Sequence, residues 1–545
     1  MTSTSAPPLT GPTTPRRLPK PPRPHRDRQI ERWLGAIAAI SAGVVIVLVA
    51  SSTLINRKIA WTSGSAAASP RLTPRRPYAD SVALFTAIDR YAQAQMTAGE
   101  VPGFTLAIVH GKQIVHERAF GIAGPNGRAV TPHTSFILGS LTKSFTALAI
   151  MQLVDQQRVV LDVPVQRYLP WFTVRDHSAS ARITVRQLLN HTSGLPKSAG
   201  LQIVRGEKAV TRAQQAALMK DVRLARPPGT GFEYSNANYW LLGLVIEAAT
   251  DTSYATYVQQ HIFAPLGMTH SFTSETEARQ HDFASGYRIW FGRPRAEELP
   301  FYWRELAVGY LISSSDDMAR YLIAQLNGGS IDGQSLVSPQ ALQQMQTPPA
   351  GMPYGMGWLV DNVQGVPVLW HTGAVANYHG DMLLIPSLGW GVVWLGNTNN
   401  FALEDEISDG MKGVAAILLG HEPPPAPRPS FRMKYALLFL AFLSWLTWRV
   451  TQLVVLYKRQ RDHAAAATED PRSAQRRLAG ALIDPGVSIG LLIGAPLALG
   501  TPLSTLQWFA PDVTLWLTAN AIITLLVLML RLGQWSASAQ IVPAQ

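Results

Sequence analysis

The chain has no cysteine among its 545 residues. That excludes disulfides, thiol nucleophiles and thiolate metal sites. It is also short of charge. Asp, Glu, Lys and Arg together make up 15%, while apolar residues make up 47%, a balance that points to membrane-spanning segments. Two hydrolase signatures are missing as well. There is no Gly-x-Ser-x-Gly elbow, and His116-Glu117 lacks the second histidine of a helical zinc site. The remaining histidines are read as structural or surface residues, so no metal and no cofactor is expected. No internal repeat is present.

The charge that is present sits unevenly within a net +12. Residues 1–77 carry 12 Lys/Arg against 2 Asp/Glu, residues 78–428 carry 25 against 28, and residues 429–545 carry 10 against 5. The excess therefore flanks apolar runs, where basic residues mark the cytoplasmic side of a membrane. The near-neutral middle offers no basic stripe to nucleic acid, and none is expected as a partner.

Composition divides the chain. Residues 1–33 are rich in Pro, Thr and Arg and read as a disordered cytoplasmic tail. Residues 34–55 hold 22 residues without a charge, long enough to cross a bilayer, and are read as an uncleaved anchor in preference to the rival reading, a cleaved signal peptide. A linker covers 56–77, a globular domain 78–420 and a proline-rich linker 421–433. Residues 434–545 read as a three-helix membrane region, with apolar runs at about 435–457, 479–500 and 512–531. The loop 458–478 carries Lys458, Arg459, Arg461, Arg472, Arg476 and Arg477, which makes it cytoplasmic by the positive-inside rule. Four crossings then leave both termini inside and the 78–420 domain outside, in a multi-pass protein of the cytoplasmic membrane with the lipid bilayer as partner. Arg449 and Asp484 fall at similar depth on successive spans and are expected to pair, since charges at such depth are costly alone.

Within the domain, FTLAIVH (104–110) and QIVHERAFG (113–121) read as strands around Gly111-Lys112, a hairpin signal. DMLLIP (381–386) and GVVWLGNT (391–398) read as a second pair. Most of the chain between them has helical spacing. The expected fold is α/β in the α+β sense: an antiparallel sheet flanked by helices, with an all-helical subdomain.

Three short elements carry candidate chemistry. Ser140 opens a helix and Lys143 follows one turn later on the same face; a serine there is commonly just an N-cap. Tyr234-Ser235-Asn236 lies in a loop before a helix at 238–249. His371-Thr372-Gly373 ends a run, VPVLW, where a glycine on a strand allows close approach of backbone or ligand. Each is weak alone. In this order and context they resemble the active site of penicillin-recognising serine hydrolases, above all the class C β-lactamase and D-alanyl-D-alanine carboxypeptidase branch. ITVRQLLNHTSGLP (183–196), PPGTGFEYSNANYWLLG (227–243), IFAPLGM (262–268), GYLISSSDDMARYL (309–322) and YGMGW (354–358) extend the resemblance over about 78–420.

The resemblance implies a β-lactamase/transpeptidase-like fold and a serine hydrolase whose catalytic residues are Ser140, Lys143 and Tyr234, either Lys143 or Tyr234 serving as base. It implies that Asn236 binds the substrate amide and holds Lys143. His371, Thr372, Gly373 and Ala374 would form the substrate and oxyanion strand, the backbone N–H groups of Ser140 and Ala374 making the oxyanion hole. Many members have lysine where this chain has His371. A histidine is mostly neutral at pH 7, so carboxylate binding through it would weaken as pH rises through ~6–7. Peptide, amide or ester hydrolysis is ranked above β-lactamase activity. The extra helices resemble those of periplasmic prodrug-activating peptidases. A penicillin-binding sensor is disfavoured, because the inner loop is too short for an effector.

Overall fold

The structure is a computed structural model that describes residues 81–203, 212–400, 404–425, 431–463 and 503–539. The tail, the first span at 34–55, the linker at 56–77, the span at 479–500 and Asp484 lie outside the described residues.

Six strands form one antiparallel sheet: β1 (Gly103–His110), β2 (Gln113–Gly121), β3 (Leu359–Val363), β4 (Val366–Val375), β5 (Tyr378–Ile385) and β6 (Trp390–Gly396), in the order β2-β1-β6-β5-β4-β3. β1 is buried over all but its last residue, as a near-continuous apolar run should be at the centre of a covered sheet. The expected hairpin forms around Gly111, whose φ of +59° suits a tight turn. The second expected pair is β5–β6, and β5 begins three residues earlier than read, at Tyr378. The first and last strands of the sheet in sequence are neighbours: Phe104 pairs with Gly396 and His110 with Trp390.

Helices cover both faces. They are α1 (Ser81–Ala98), α2 (Thr142–Asp155), α3 (Asn236–Thr250), α4 (Ser315–Leu326) and α5 (Glu404–Leu418). α1 and α5 close one face over Leu106, Leu383, Val392 and Trp394. α4 packs on β1 and β6 from the other side, where a larger core joins the sheet to the helical insert. α2 is the axis of that insert. Every residue from Thr142 to Leu153 is buried, the mark of a helix surrounded by protein.

Among the described residues three helices follow: α6 (Phe431–His463), α7 (Leu503–Phe509) and α8 (Pro511–Ala539). Tyr435–Val455 on α6 and Pro511–Leu530 on α8 are long and apolar enough to cross a membrane by length and composition. They coincide with two of the four expected spans, and α6 packs along α8. Arg449 on α6 is buried over the rings of Trp445 and Trp448, with Nη1 donating to Gln452 Oε1 at 3.2 Å.

Candidate active site

Ser140 does not cap a helix. It sits in a 3-10 turn, Gly139–Leu141, that leads directly into α2, and its side chain makes no cap bond. Gly139 has φ +56°, and a Cβ there would overlap the Gly373 and Ala374 backbone. A Cβ on Gly373 would overlap the Leu138 carbonyl. Two glycines thus let the Ser140 turn lie flat against β4, which brings the Ala374 backbone nitrogen beside the turn.

Ser140 Oγ accepts from Lys143 Nζ at 2.8 Å and from Tyr234 Oη at 3.0 Å. Lys143 Nζ donates again to the Val308 carbonyl at 2.9 Å and lies 5.1 Å from the Tyr234 ring centre. Burial pushes the Lys143 pKa down to about 7, with the neighbouring Glu305 partly opposing the fall. Glu305 is itself buried, and burial pushes its carboxyl up to about 8 against the pull of Lys143. A serine oxygen between a lysine that releases its proton near neutrality and a phenol is equipped for proton transfer.

Asn236 starts α3, with Ser235 as N-cap. Among the described residues its Oδ1 is buried without a hydrogen-bond partner, and Lys143 is held by the Val308 carbonyl rather than by Asn236. β4 sends alternate side chains to opposite faces. His371 and Gly373 face the Ser140 turn. The Thr372 side chain turns to the other face, where it helps hold Asp381, its cross-strand partner. Asp381 also accepts from His379 at 2.9 Å and Trp394 at 2.5 Å.

His371 corrects an expectation. Its Nε2 meets Tyr354 Oη at 2.9 Å and its Nδ1 meets the Thr372 carbonyl at 2.6 Å. Burial, then the nearby Lys143, pushes its pKa down to about 3. The imidazole is neutral across the physiological range, so no charge is lost near pH 6–7.

Sequence reading missed the residue that holds the tyrosine loop. His191 adopts φ +56°, rare for a non-glycine residue. Its Nδ1 accepts from Ser235 N at 3.2 Å and Asn238 Nδ2 at 2.8 Å. Its ring packs against Tyr234, Tyr239 and Tyr354 at 4.4, 5.1 and 4.8 Å. Val308, Glu305 and Tyr354 were also missed, because nothing local marks a carbonyl or a packed ring as part of a site 165 residues from Lys143.

A cavity of about 260 Å³ lies past Ala374, lined by Ile137, Tyr302, Tyr310, Ala376, Asn377 and Trp508. Neither Ser140, Lys143 nor Tyr234 lines it.

The profile of the family described as Beta-lactamase matches residues 88–411. Protein flp of Staphylococcus aureus strain MW2 is 30% identical over 322 residues, covering 57% of this chain and 63% of the relative; the chain thus spans under two thirds of that protein. Penicillin-binding protein 4 of Amycolatopsis lactamdurans is 30% identical over 365 residues, covering 62% of this chain and 92% of the relative. The structure of the octameric penicillin-binding protein homologue from Pyrococcus abyssi superposes with a TM-score of 0.55 at 29% identity, covering 64% of this chain and 80% of that one. The chain belongs to the β-lactamase family of penicillin-recognising serine hydrolases.

Proposed function

We propose that the protein is a membrane-anchored hydrolase that forms an acyl-enzyme on Ser140. Its substrates would be peptides or amides that contain D-amino acids or carry an N-acyl group, outside the cytoplasmic membrane. The observation that carries this reading is the contact of Ser140 Oγ with Lys143 Nζ at 2.8 Å and Tyr234 Oη at 3.0 Å. Neutral Lys143 takes the seryl proton as Oγ attacks the carbonyl carbon. The oxyanion receives the N–H groups of Ser140 and Ala374; such donors are each worth roughly 3–4 kcal/mol of barrier. Tyr234 passes a proton to the leaving nitrogen, and water then cleaves the ester by the reverse relay. Asn236 Oδ1 has no partner among the described residues and would accept from a substrate amide.

The neutral His371 favours a second reading, esterase activity, and argues against efficient β-lactamase action. A β-lactam carboxylate gains no cation from this imidazole. For the membrane region we propose the four-span topology, with α6 and α8 as two of the spans. Trp508 on α7 lines the cavity past Ala374, which supports a role for these helices beside the substrate.

The test is labelling of the full-length protein with a fluorophosphonate and a fluorescent penicillin, followed by assays on D-Ala-D-Ala peptides, N-acyl-D-amino-acid amides and p-nitrophenyl esters. The expected result is fluorophosphonate labelling lost in Ser140→Ala, faint penicillin labelling, and turnover of the amides. Normal turnover by Ser140→Ala would refute the nucleophile. Turnover confined to the esters would favour the second reading.

A further inference from the structure

We propose that His133, His270 and Asp316, with Glu117 as a fourth donor, bind a divalent transition-metal ion of the zinc class at a site separate from Ser140. The ligand atoms of the first three lie within 4.8 Å of one another. The fold brings them together through pairing of three distant segments. Ser135 pairs with Ser314, and Phe272 bridges to Ile312. His133, Asp316 and His270 each lie two residues from one of these paired positions. Glu117 comes from β2, against which α4 packs.

The donors are poorly satisfied by one another. The His133 and His270 rings stack at 4.6 Å, which places two groups of like potential charge face to face. His133 Nδ1 reaches Asp316 Oδ2 only at 3.5 Å, too long for a good hydrogen bond. Glu117 Oε1 is buried with no partner among the described residues, and its carboxyl feels Asp316 as a repelling neighbour and His133 as an attracting one. Two carboxylates and two imidazoles thus converge with no hydrogen bond among the four. A divalent cation resolves that conflict.

The donor set selects the ion. Imidazole nitrogens with carboxylate oxygens suit zinc and its neighbours. Four-coordinate bonds of ~2.0–2.2 Å put ligand atoms roughly 3.3 Å apart, so the side chains must draw in by rotation. His270 is prepared for this. In the tautomer with its proton on Nδ1, it donates to Thr269 Oγ1 at 3.3 Å and frees Nε2. Its backbone nitrogen is fixed by Asp317 Oδ2 at 2.7 Å. The side chain of His133 is 56% exposed, so an ion enters from solvent.

The ion would fasten the frame of the reacting serine. Ser135–Ile137 runs into the Ser140 turn. Its partner strand, Ile312–Ser314, follows Val308, and Leu138 N donates to the Leu311 carbonyl at 2.8 Å.

The experiment uses full-length protein in detergent, purified on a tag without histidine, stripped with a chelator and titrated with Zn²⁺ alone. The expected result is one bound Zn²⁺ per chain, lost in His133→Ala/His270→Ala. Asp316→Asn and Glu117→Gln should each weaken binding at least about tenfold, since even outer-shell partners cost 10–100-fold. Cobalt should give a visible absorption band that the double variant lacks. Circular dichroism and fluorophosphonate labelling check that the variants fold. No stoichiometric Zn²⁺ in the parent, or equal Zn²⁺ in parent and double variant, overturns the proposal. Unchanged affinity in Glu117→Gln overturns the assignment of the fourth donor.

Discussion

Burial opposes both the Lys143 cation and the Glu305 anion, and here it outweighs their mutual attraction: the lysine falls to about 7 and the carboxyl rises to about 8. Taking charges out of water commonly costs more than pairing returns. The outcome bears on chemistry, because only a neutral amine can accept the Ser140 proton. The sign follows. Below about 7 the amine is protonated and acylation should fall about tenfold per pH unit; above it the rate should level off. His371 adds no step between pH 5 and 8, since its pKa lies near 3. Single-turnover fluorophosphonate acylation between pH 5 and 9 measures this limb. A flat profile would assign the proton to Tyr234 instead.

α3 and the loop before it show how one side chain sets an element. The helix begins at Asn236 because Ser235 is extended and its N–H is fixed by His191. Tyr234 therefore leaves the loop at a fixed angle, its ring 4.4 Å from His191. His191→Ala removes both the acceptor and the ring. We expect it to lower the acylation rate by ~10–100-fold, the scale of a small displacement of a reacting group. His191→Asn keeps an acceptor and tolerates positive φ, so it should recover part of the loss. Equal defects in both variants would make His191 a packing residue rather than a positioning one. Local signals served well for such elements up to a point. The Gly111-Lys112 hairpin and α3 were legible from turn residues and periodicity. The sheet order was not, because β1 pairs with β6 nearly three hundred residues later, and no local pattern encodes that register. The Thr372 orientation was legible in principle. Strand alternation puts it on the opposite face from His371, but the motif was read as one block. Ser140 resembled an N-cap because a 3-10 turn and a helix start look alike in sequence.

At the scale of the molecule, the globular part is joined to the C-terminal helices by polar bonds as well as by chain connection. The hairpin of Tyr287–Trp290 and Arg293–Ala296 reaches them. Arg288 is gripped by Glu297 at 2.5 and 2.9 Å, and its Nη1 donates to the Gln507 and Trp508 carbonyls at 3.2 and 3.1 Å. These carbonyls end α7, where the helix dipole favours a cation. Phe291 N donates to Asp512 Oδ2 at 2.9 Å, and the Phe291 ring meets Phe439 on α6 at 5.7 Å. Hydrogen bonds to charged groups contribute about 1.5–3 kcal/mol each, enough to hold the domain at one orientation. Hydropathy marks the candidate spans but not this docking, whose polar pairs lie more than 200 positions apart. The absence of cysteine makes a clean test possible. Phe291→Cys with Phe439→Cys introduces the chain's only two thiols. A short bifunctional maleimide should join them in nearly every molecule of the detergent-solubilised protein. Adding Arg288→Ala should cut that yield severalfold, because the hairpin loses its hold on α7 while the covalent tether remains. Ser140 labelling by fluorophosphonate reports that the domain is still folded. If the thiols fail to join even with Arg288 present, the domain is tethered to the helices rather than docked on them, and Trp508 does not line the cavity past Ala374.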